Sequence, residues 1–209
     1  MLHDIRKQYI FSSLDEQNVL LNPFDQFDVW LQEVIESDQL EPTSMVVSTV
    51  DDKQQPHSRV VLLKQLTVKG FVFYTNYEGQ KARQMAQNNK VSLLFFWPTL
   101  ERQVRITGTV KKISETLSTA YFLSRPLESR IAAWASPQSQ FIRSKDFLEK
   151  QVQYYQNKFG DTVPKPPHWG GFIVKPLTFE FWQGRPNHLH DRLLFSKENK
   201  EWKITRLAP

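Results

Sequence analysis

Apolar residues along this chain recur at two periods, and the switches between them predict most of its elements. From Pro23 to Glu36 they fall at Phe27, Trp30, Leu31, Val34 and Ile35, with acidic residues and Gln on the other face. That spacing predicts a helix with Pro in its first turn. Residues 45–50, 59–64 and 71–75 are short, β-branched or aromatic runs separated by turn residues, and predict three strands of an antiparallel meander. Residues 78–88 predict a short polar helix, 91–97 a strand buried on both faces, and 102–113 an alternating strand. Ser114, with Glu115 behind it, caps a helix through about Ser124; Arg125-Pro126 breaks it and starts another. An amphipathic helix over 144–159 and a rigid connector at 164–167 follow, then strands over 171–174, 179–183, 193–196 and 202–207. The sum is mainly β with peripheral helices (α+β): a six-to-eight-stranded antiparallel barrel. The βαβ alternation of a doubly wound sheet is missing, as are the glycine fingerprints of dinucleotide and P-loop sites.

Composition narrows the chemistry. The 209 residues include no cysteine, which removes disulfides, thiolate metal sites and cysteine nucleophiles. Residues 21–209 suit one domain, with 1–20 as a mobile N-terminal segment. With no apolar run of signal-peptide or membrane-span length, the expectation is a cytoplasmic protein that engages no membrane. The net charge of +5 is spread out, with no basic run and no DNA-binding signature, so nucleic acid is not the expected partner. Small phosphorylated ligands and a plain solvated surface both remain.

Three clusters carry candidate chemistry. Arg59 and Lys64 end one strand; five residues apart, they face opposite sides unless the strand bends, so spacing alone favours solvated ends. Tyr121, Arg125 and Ser129 share a helix face if the helix survives Pro126; if it does not, Ser129 lies in the first turn of a new helix, where free N–H groups favour an anion. The third is Trp182 to Arg192, with His188, His190 and Asp191 between Arg185 and Arg192. The flanking cations disfavour a metal, leaving an anion-binding or proton-handling site, or a surface turn.

Several segments in order resemble the pyridoxamine 5′-phosphate oxidase family: Arg59-Val-Val-Leu-Leu-Lys64, Phe73-Tyr-Thr-Asn76, Leu100-Glu-Arg-Gln-Val104, Ser124-Arg-Pro126, Gln138-Ser139, Trp169-Gly-Gly-Phe172, Leu189-His-Asp-Arg192 and Arg206-Leu-Ala-Pro209. The resemblance implies a homodimeric split β-barrel that binds FMN and oxidises pyridoxamine or pyridoxine 5′-phosphate with O2, releasing hydrogen peroxide. It implies FMN contacts from Arg59, Val60, Val61, Leu62, Leu63, Lys64, Tyr74, Thr75, Gln80, Lys81 and Gln103. Further contacts from Gln138, Ser139, Trp182 and Arg192 come, in the family, from the second subunit. Lys64, Tyr121, Arg125 and Ser129 would hold the substrate phosphate. His188, Leu189 and His190 would lie at the substrate, with catalytic duty falling on His188, His190 and Arg192. Arg6, Lys7, Gln8 and Tyr9 resemble a segment that closes over it. Two positions depart from the family: His188 and Gln80 stand where Arg is usual, which implies weaker grip on substrate and on the FMN phosphate. The alternatives are a flavin reductase on the same barrel, which has no need of the substrate-phosphate set, and a low-turnover FMN or B6-phosphate binder.

Overall fold

The computed structural model describes residues 8–199 and 201–209. Helix α1 (Pro23–Ile35) forms as its sequence predicts: the Asn22 side chain accepts a hydrogen bond from Phe24 N–H at 3.0 Å, and Phe27, Trp30, Leu31 and Val34 are buried. Then come β1 (Ser44–Val50), β2 (Pro56–Leu62), β3 (Gln65–Thr67), β4 (Gly70–Asn76), α2 (Gln80–Gln87), β5 (Lys90–Trp97) and β6 (Arg102–Lys112). Helices α3 (Glu115–Leu123), α4 (Leu127–Ala135) and α5 (Lys145–Phe159) precede β7 (Trp169–Gln183), β8 (Asp191–Glu198) and β9 (Glu201–Arg206). Pro126 ends the α3 segment and starts α4, so the broken-helix alternative holds and Ser129 sits in the first turn of α4. Among the described residues, no helix is long and apolar enough to cross a membrane.

Nine strands form one antiparallel sheet among the described residues, in the order β2-β1-β5-β6-β7-β4-β3, with β8 and β9 continuing from β7. The sheet curls because the chain turns a corner after β2. Leu63 N–H still donates to Thr43 on the β1 side, at 2.9 Å, whereas Lys64 N–H donates to Val72 of β4, also at 2.9 Å. One strand thus hands over to the opposite edge and closes a split barrel. The corner falls between Arg59, on β2, and Lys64, which bonds β4; Lys64 lines the cleft where β2, β4 and α3 meet, and Arg59 does not.

The core is aromatic. Phe27, Phe71, Phe73, Phe95, Phe179, Phe181 and Phe195 are fully buried, and Phe27 packs edge-on to Phe71 and Phe95 at 4.9 and 4.8 Å. Each such ring stabilises the fold by roughly 1.5–3 kcal/mol through burial, with further gain from edge-to-face pairing. A smaller cluster of Phe122, Ile131, Val163 and Trp169 seats α3 and α4 against the sheet.

The two strands expected over 171–174 and 179–183 are one. Pro176 interrupts the apolar pattern and cannot donate to the ladder, but the sheet absorbs it with a register shift at Thr107/Gly108. The first part of β7 pairs with β4, the last part with β8, and both with β6. Gly108 lies where a Cβ would collide with the Lys175 carbonyl oxygen, a backbone atom that cannot swing aside. Gly108→Ala should therefore destabilise the barrel by about 1–3 kcal/mol, read as a lower urea midpoint at unchanged m-value; a midpoint matching the parent protein would refute this account of the bulge.

Candidate active site

A cleft of about 320 Å³ opens where β2, β4 and α3 meet. Val60, Val61, Leu62 and Lys64 line it from the β2 side, with Tyr74 and Thr75 from β4. Leu63, next in the same stretch, points into the core and is 4% exposed. A second hollow of about 170 Å³ adjoins the cleft, sharing Asn76, Arg125, Gln138 and Trp169 with it and adding Ser129.

One end of the cleft is polar and cationic. Lys81, at the start of α2, donates to the Thr75 hydroxyl at 3.0 Å and to Gln138 Oε1 at 2.8 Å. Burial, and then the neighbouring Arg59 charge, bring its pKa down to about 8. Arg59 is held at the β2–α2 junction by Thr49 (2.6 Å), Gln84 (3.3 Å) and the Val47 and His57 carbonyls. Burial alone lowers the Arg59 pKa, and a phosphate dianion beside the two cations would favour the charged form of each. Gln80 is exposed at the first position of α2. Gln138, expected from a second subunit, reaches the cleft of its own chain. The loop after α4 folds over the start of α2, and Gly79 leaves room for it, since a Cβ there would strike the Gln138 side chain. Ser139 follows, exposed and with φ of 65°.

The other end gathers the second cluster. Tyr121 stacks on Tyr74 with centroids 3.9 Å apart, and Tyr74 stacks on Trp169 at 5.4 Å. The Arg125 guanidinium lies over the Trp169 ring at 4.8 Å. Its NH1 nitrogen is buried with no hydrogen-bond partner among the described residues, and burial lowers its pKa. A buried donor without an acceptor costs about 1–3 kcal/mol, and an anion entering the cleft would satisfy it. Tyr121, Arg125 and Ser129 are thus brought together, with Lys64 lining the same cleft.

The third cluster forms a separate face at the β7–β8 end. Trp182 and His190 lie 4.7 Å apart, and Tyr9 packs edge-on to them at 5.6 and 5.5 Å. Gly184 permits this approach, because a Cβ there would sit 2.7 Å from the Tyr9 ring. His190 Nδ1 accepts from Arg185 N–H at 3.1 Å, which puts the proton of the neutral ring on Nε2. Burial first, then His188, lower the His190 pKa, opposed by Asp191, so the ring is neutral at pH 7. His188 lies 5.7 Å from His190 at the end of the short turn Pro186–His188, with φ of 61°. Leu189 is exposed beside it. Arg192 donates twice to Glu180, at 2.9 and 2.8 Å, and once to the Ala208 carbonyl at 2.7 Å. Gln103 stands directly across the ladder from Trp182. Asp191 bonds Arg206 rather than the histidines, and among the described residues no group of three or more His, Cys, Asp or Glu is placed to hold a metal ion. Gln8 is exposed next to Tyr9; Arg6 and Lys7 lie outside the described residues.

Sequence reasoning gave no role to Asn76 and Trp169, which line both hollows, or to Thr49 and Gln84, which fix Arg59. Gln84 had a signal: it lies three residues after Lys81 on a helix, on the same face.

Comparison with known proteins meets this geometry. A family model described as pyridoxamine 5′-phosphate oxidase matches residues 31–159, and one described as the pyridoxine 5′-phosphate oxidase C-terminal dimerisation region matches 169–209. The chain is 49% identical over 210 residues to a pyridoxine/pyridoxamine 5′-phosphate oxidase of Paraburkholderia phytofirmans, covering 100% of this chain and 99% of that one. To the protein of the same description from Burkholderia mallei it is 50% identical over 211 residues, with the same coverage. In fold it is similar to PhzG of Burkholderia lata 383, solved with tetrahydrophenazine-1-carboxylic acid, at TM-score 0.89 and 23% identity over 94% of this chain and 98% of that one. A pyridoxamine 5′-phosphate oxidase-related, FMN-binding protein of Nostoc punctiforme superposes at TM-score 0.72 and 17% identity, covering 91% and 100%.

Proposed function

The chain belongs to the pyridoxamine 5′-phosphate oxidase family, and on that premise we propose that it oxidises pyridoxamine 5′-phosphate or pyridoxine 5′-phosphate to pyridoxal 5′-phosphate, with FMN as cofactor and O2 as acceptor. The products are hydrogen peroxide and, from the amine, ammonia. The observation that carries this reading is the buried, unpartnered Arg125 nitrogen in a cleft that also holds Lys64 and Tyr121. A flavin reductase has no use for such a donor, whereas a substrate phosphate supplies its acceptor.

The residues present fit FMN as well. Lys81, Arg59 and Thr75 would hold its phosphate, since two partly buried cations beside a hydroxyl suit a dianion. The Val60 to Lys64 backbone would flank the flavin. When bound, FMN would supply the hydride-accepting chemistry of the oxidation at the substrate C4′, with O2 as the terminal electron acceptor. The chain's own work is positioning: Arg125, Tyr121, Ser129 and Lys64 fix the substrate phosphate, and the Tyr74–Tyr121–Trp169 stack holds Tyr121 in place. Neutral His190, its Nδ1 engaged by Arg185, offers Nε2–H as a donor. His188, Arg192, Trp182 and Ser139 belong to the same reaction as groups that a second copy brings to the cleft. We read the enzyme as a cytoplasmic homodimer; the matched dimerisation region and the absence of cysteine support that reading.

The test is an absorbance spectrum of the purified protein, then addition of pyridoxamine 5′-phosphate in air. A flavin spectrum with peroxide and an aldehyde product is the expected result. Flavin without turnover would move the assignment to a binder or reductase, and no flavin after FMN addition would remove the cofactor from it.

A further inference from the structure

The Arg206 side chain, on the last strand, joins three parts of the chain that are far apart in sequence. Its NH1 donates to Asp191 Oδ1 at 2.8 Å, its Nε to Glu16 Oε1 at 2.8 Å, and its NH2 to Glu16 Oε2 and to the Leu14 carbonyl, the latter at 3.2 Å. Asp15 lies 3.7 Å away on the same guanidinium. Asp191 completes the link, since its other oxygen accepts from Leu14 N–H at 3.1 Å. Arg206 and Asp191 together therefore grip both polar groups of the Leu14 backbone.

Two further ties continue the same segment. Arg185 donates to the Ser12 carbonyl at 2.9 Å, and the buried Glu101 carboxylate accepts from Ile10 and Phe11 N–H at 2.8 and 2.9 Å. Leu14 plugs into the core at 6% exposure. Residues 8–16 thus run as a strap across the β7–β8 end, and the strap delivers Tyr9 onto Trp182 and His190. Nothing in the strap itself builds a helix or a strand, so its path is set by these side-chain ties and by the packing of Leu14 and Tyr9.

We propose that Arg206 is a positioning residue for substrate binding: by latching Leu14 and Glu16 to Asp191 it holds the strap, and with it Tyr9, on the His190 face. The inference deepens the proposed oxidase reading and rests on it for its kinetic consequence. The latch acts on binding and not on the chemical step, because Arg206 does not line the cleft and, although it borders one hollow with His190, its guanidinium is engaged by Glu16, Asp191 and Leu14. A lone exposed pair of this kind contributes little. This one is a bidentate contact joined to a shared aspartate and a backbone carbonyl, a network whose members fix one another.

Two measurements test it, on the full-length protein as purified. The first is amide hydrogen exchange in Arg206→Gln and, separately, Glu16→Gln. Exchange over residues 10–14 should rise at least about fivefold in both, with the barrel strands unchanged. The second is steady-state kinetics with pyridoxamine 5′-phosphate. KM should rise about fivefold to tenfold with kcat within about twofold, and Arg206→Gln combined with Glu16→Gln should add little to either single change, as expected for partners in one contact. Unchanged exchange over residues 10–14 in both variants overturns the latch, whatever the enzyme does. Faster exchange with unchanged KM, in a protein that oxidises the substrate, overturns its role in binding. If the parent protein shows no oxidation, the function reading falls, while the exchange result still decides whether Arg206 holds the strap. Should Arg206→Gln fail to fold, Glu16→Gln gives the same reading from the exposed side of the contact.

Discussion

Arg125→Met is expected to lower kcat/KM for pyridoxamine 5′-phosphate by about a hundredfold while leaving the protein at least as stable. The two halves have one cause. In the absence of substrate, Arg125 keeps a buried NH1 without an acceptor, and burial already disfavours its charge. Met fills much of the same volume over Trp169 with nothing left to satisfy, so melting should stay level or move upward. With substrate the sign reverses, because the variant loses a charge-assisted hydrogen bond to the substrate phosphate. Such a bond contributes about 1.5–3 kcal/mol, and a hundredfold corresponds to about 2.7 kcal/mol. The flavin spectrum should be retained. A large loss of stability, or kcat/KM within threefold of the parent, would show that Arg125 is a packing residue.

The second large effect is a pH dependence. Lys81 titrates at about 8 instead of its ordinary 10.5, because burial and Arg59 disfavour its charge. Between those values the unfolded chain holds a proton that the folded chain does not, so this group makes the protein without cofactor more stable as pH rises from about 8 towards 10.5. FMN binding runs the other way. Its phosphate dianion favours charged Lys81, and above pH 8 a proton must be taken up before the pair can form. Affinity of the apoprotein for FMN should therefore fall above pH 8, by at most about tenfold per pH unit for one group. Fluorescence titration of FMN at pH 7, 8, 9 and 10 would measure it, since free flavin fluorescence is quenched on binding. In Lys81→Met the affinity should be lower at pH 7 and flat over this range. A parent curve that is flat, or a variant curve that still bends at 8, would assign the pH dependence to another group.

Legibility along the chain followed how local the determining interaction was. Helix α1 could be read to within a residue, because Pro23 and the apolar face lie within its own thirteen positions and the capping Asn22 stands directly before them. The strands of the barrel were readable for the same reason. Strand β3 was not, being three residues long and defined only by its pairing with β4. The union of two expected strands into β7 depended on a register shift in β6, some seventy residues earlier. In the candidate site, spacing alone left Tyr121, Arg125 and Ser129 between two helix geometries, and the resemblance gave them a role. Spacing could not show that an Arg125 nitrogen would be buried without a partner, nor that Gln138 would return to Lys81 of its own chain. The strap over residues 8–16 has no periodicity, since carboxylates and guanidinium groups elsewhere in the fold determine its course.

The length of β7 has a geometric consequence. One uninterrupted strand carries Trp169 at the cleft and Trp182 at the histidine face. Thirteen steps of extended chain span roughly 40 Å before sheet coiling shortens them. The strand therefore acts as a rigid ruler that keeps the two ends of its own chain apart. Whatever brings a cleft and a histidine face into register must repeat that ruler on a neighbouring molecule and lay the two in opposite senses. In the proposed enzyme each molecule would carry half of two reaction chambers and the whole of none.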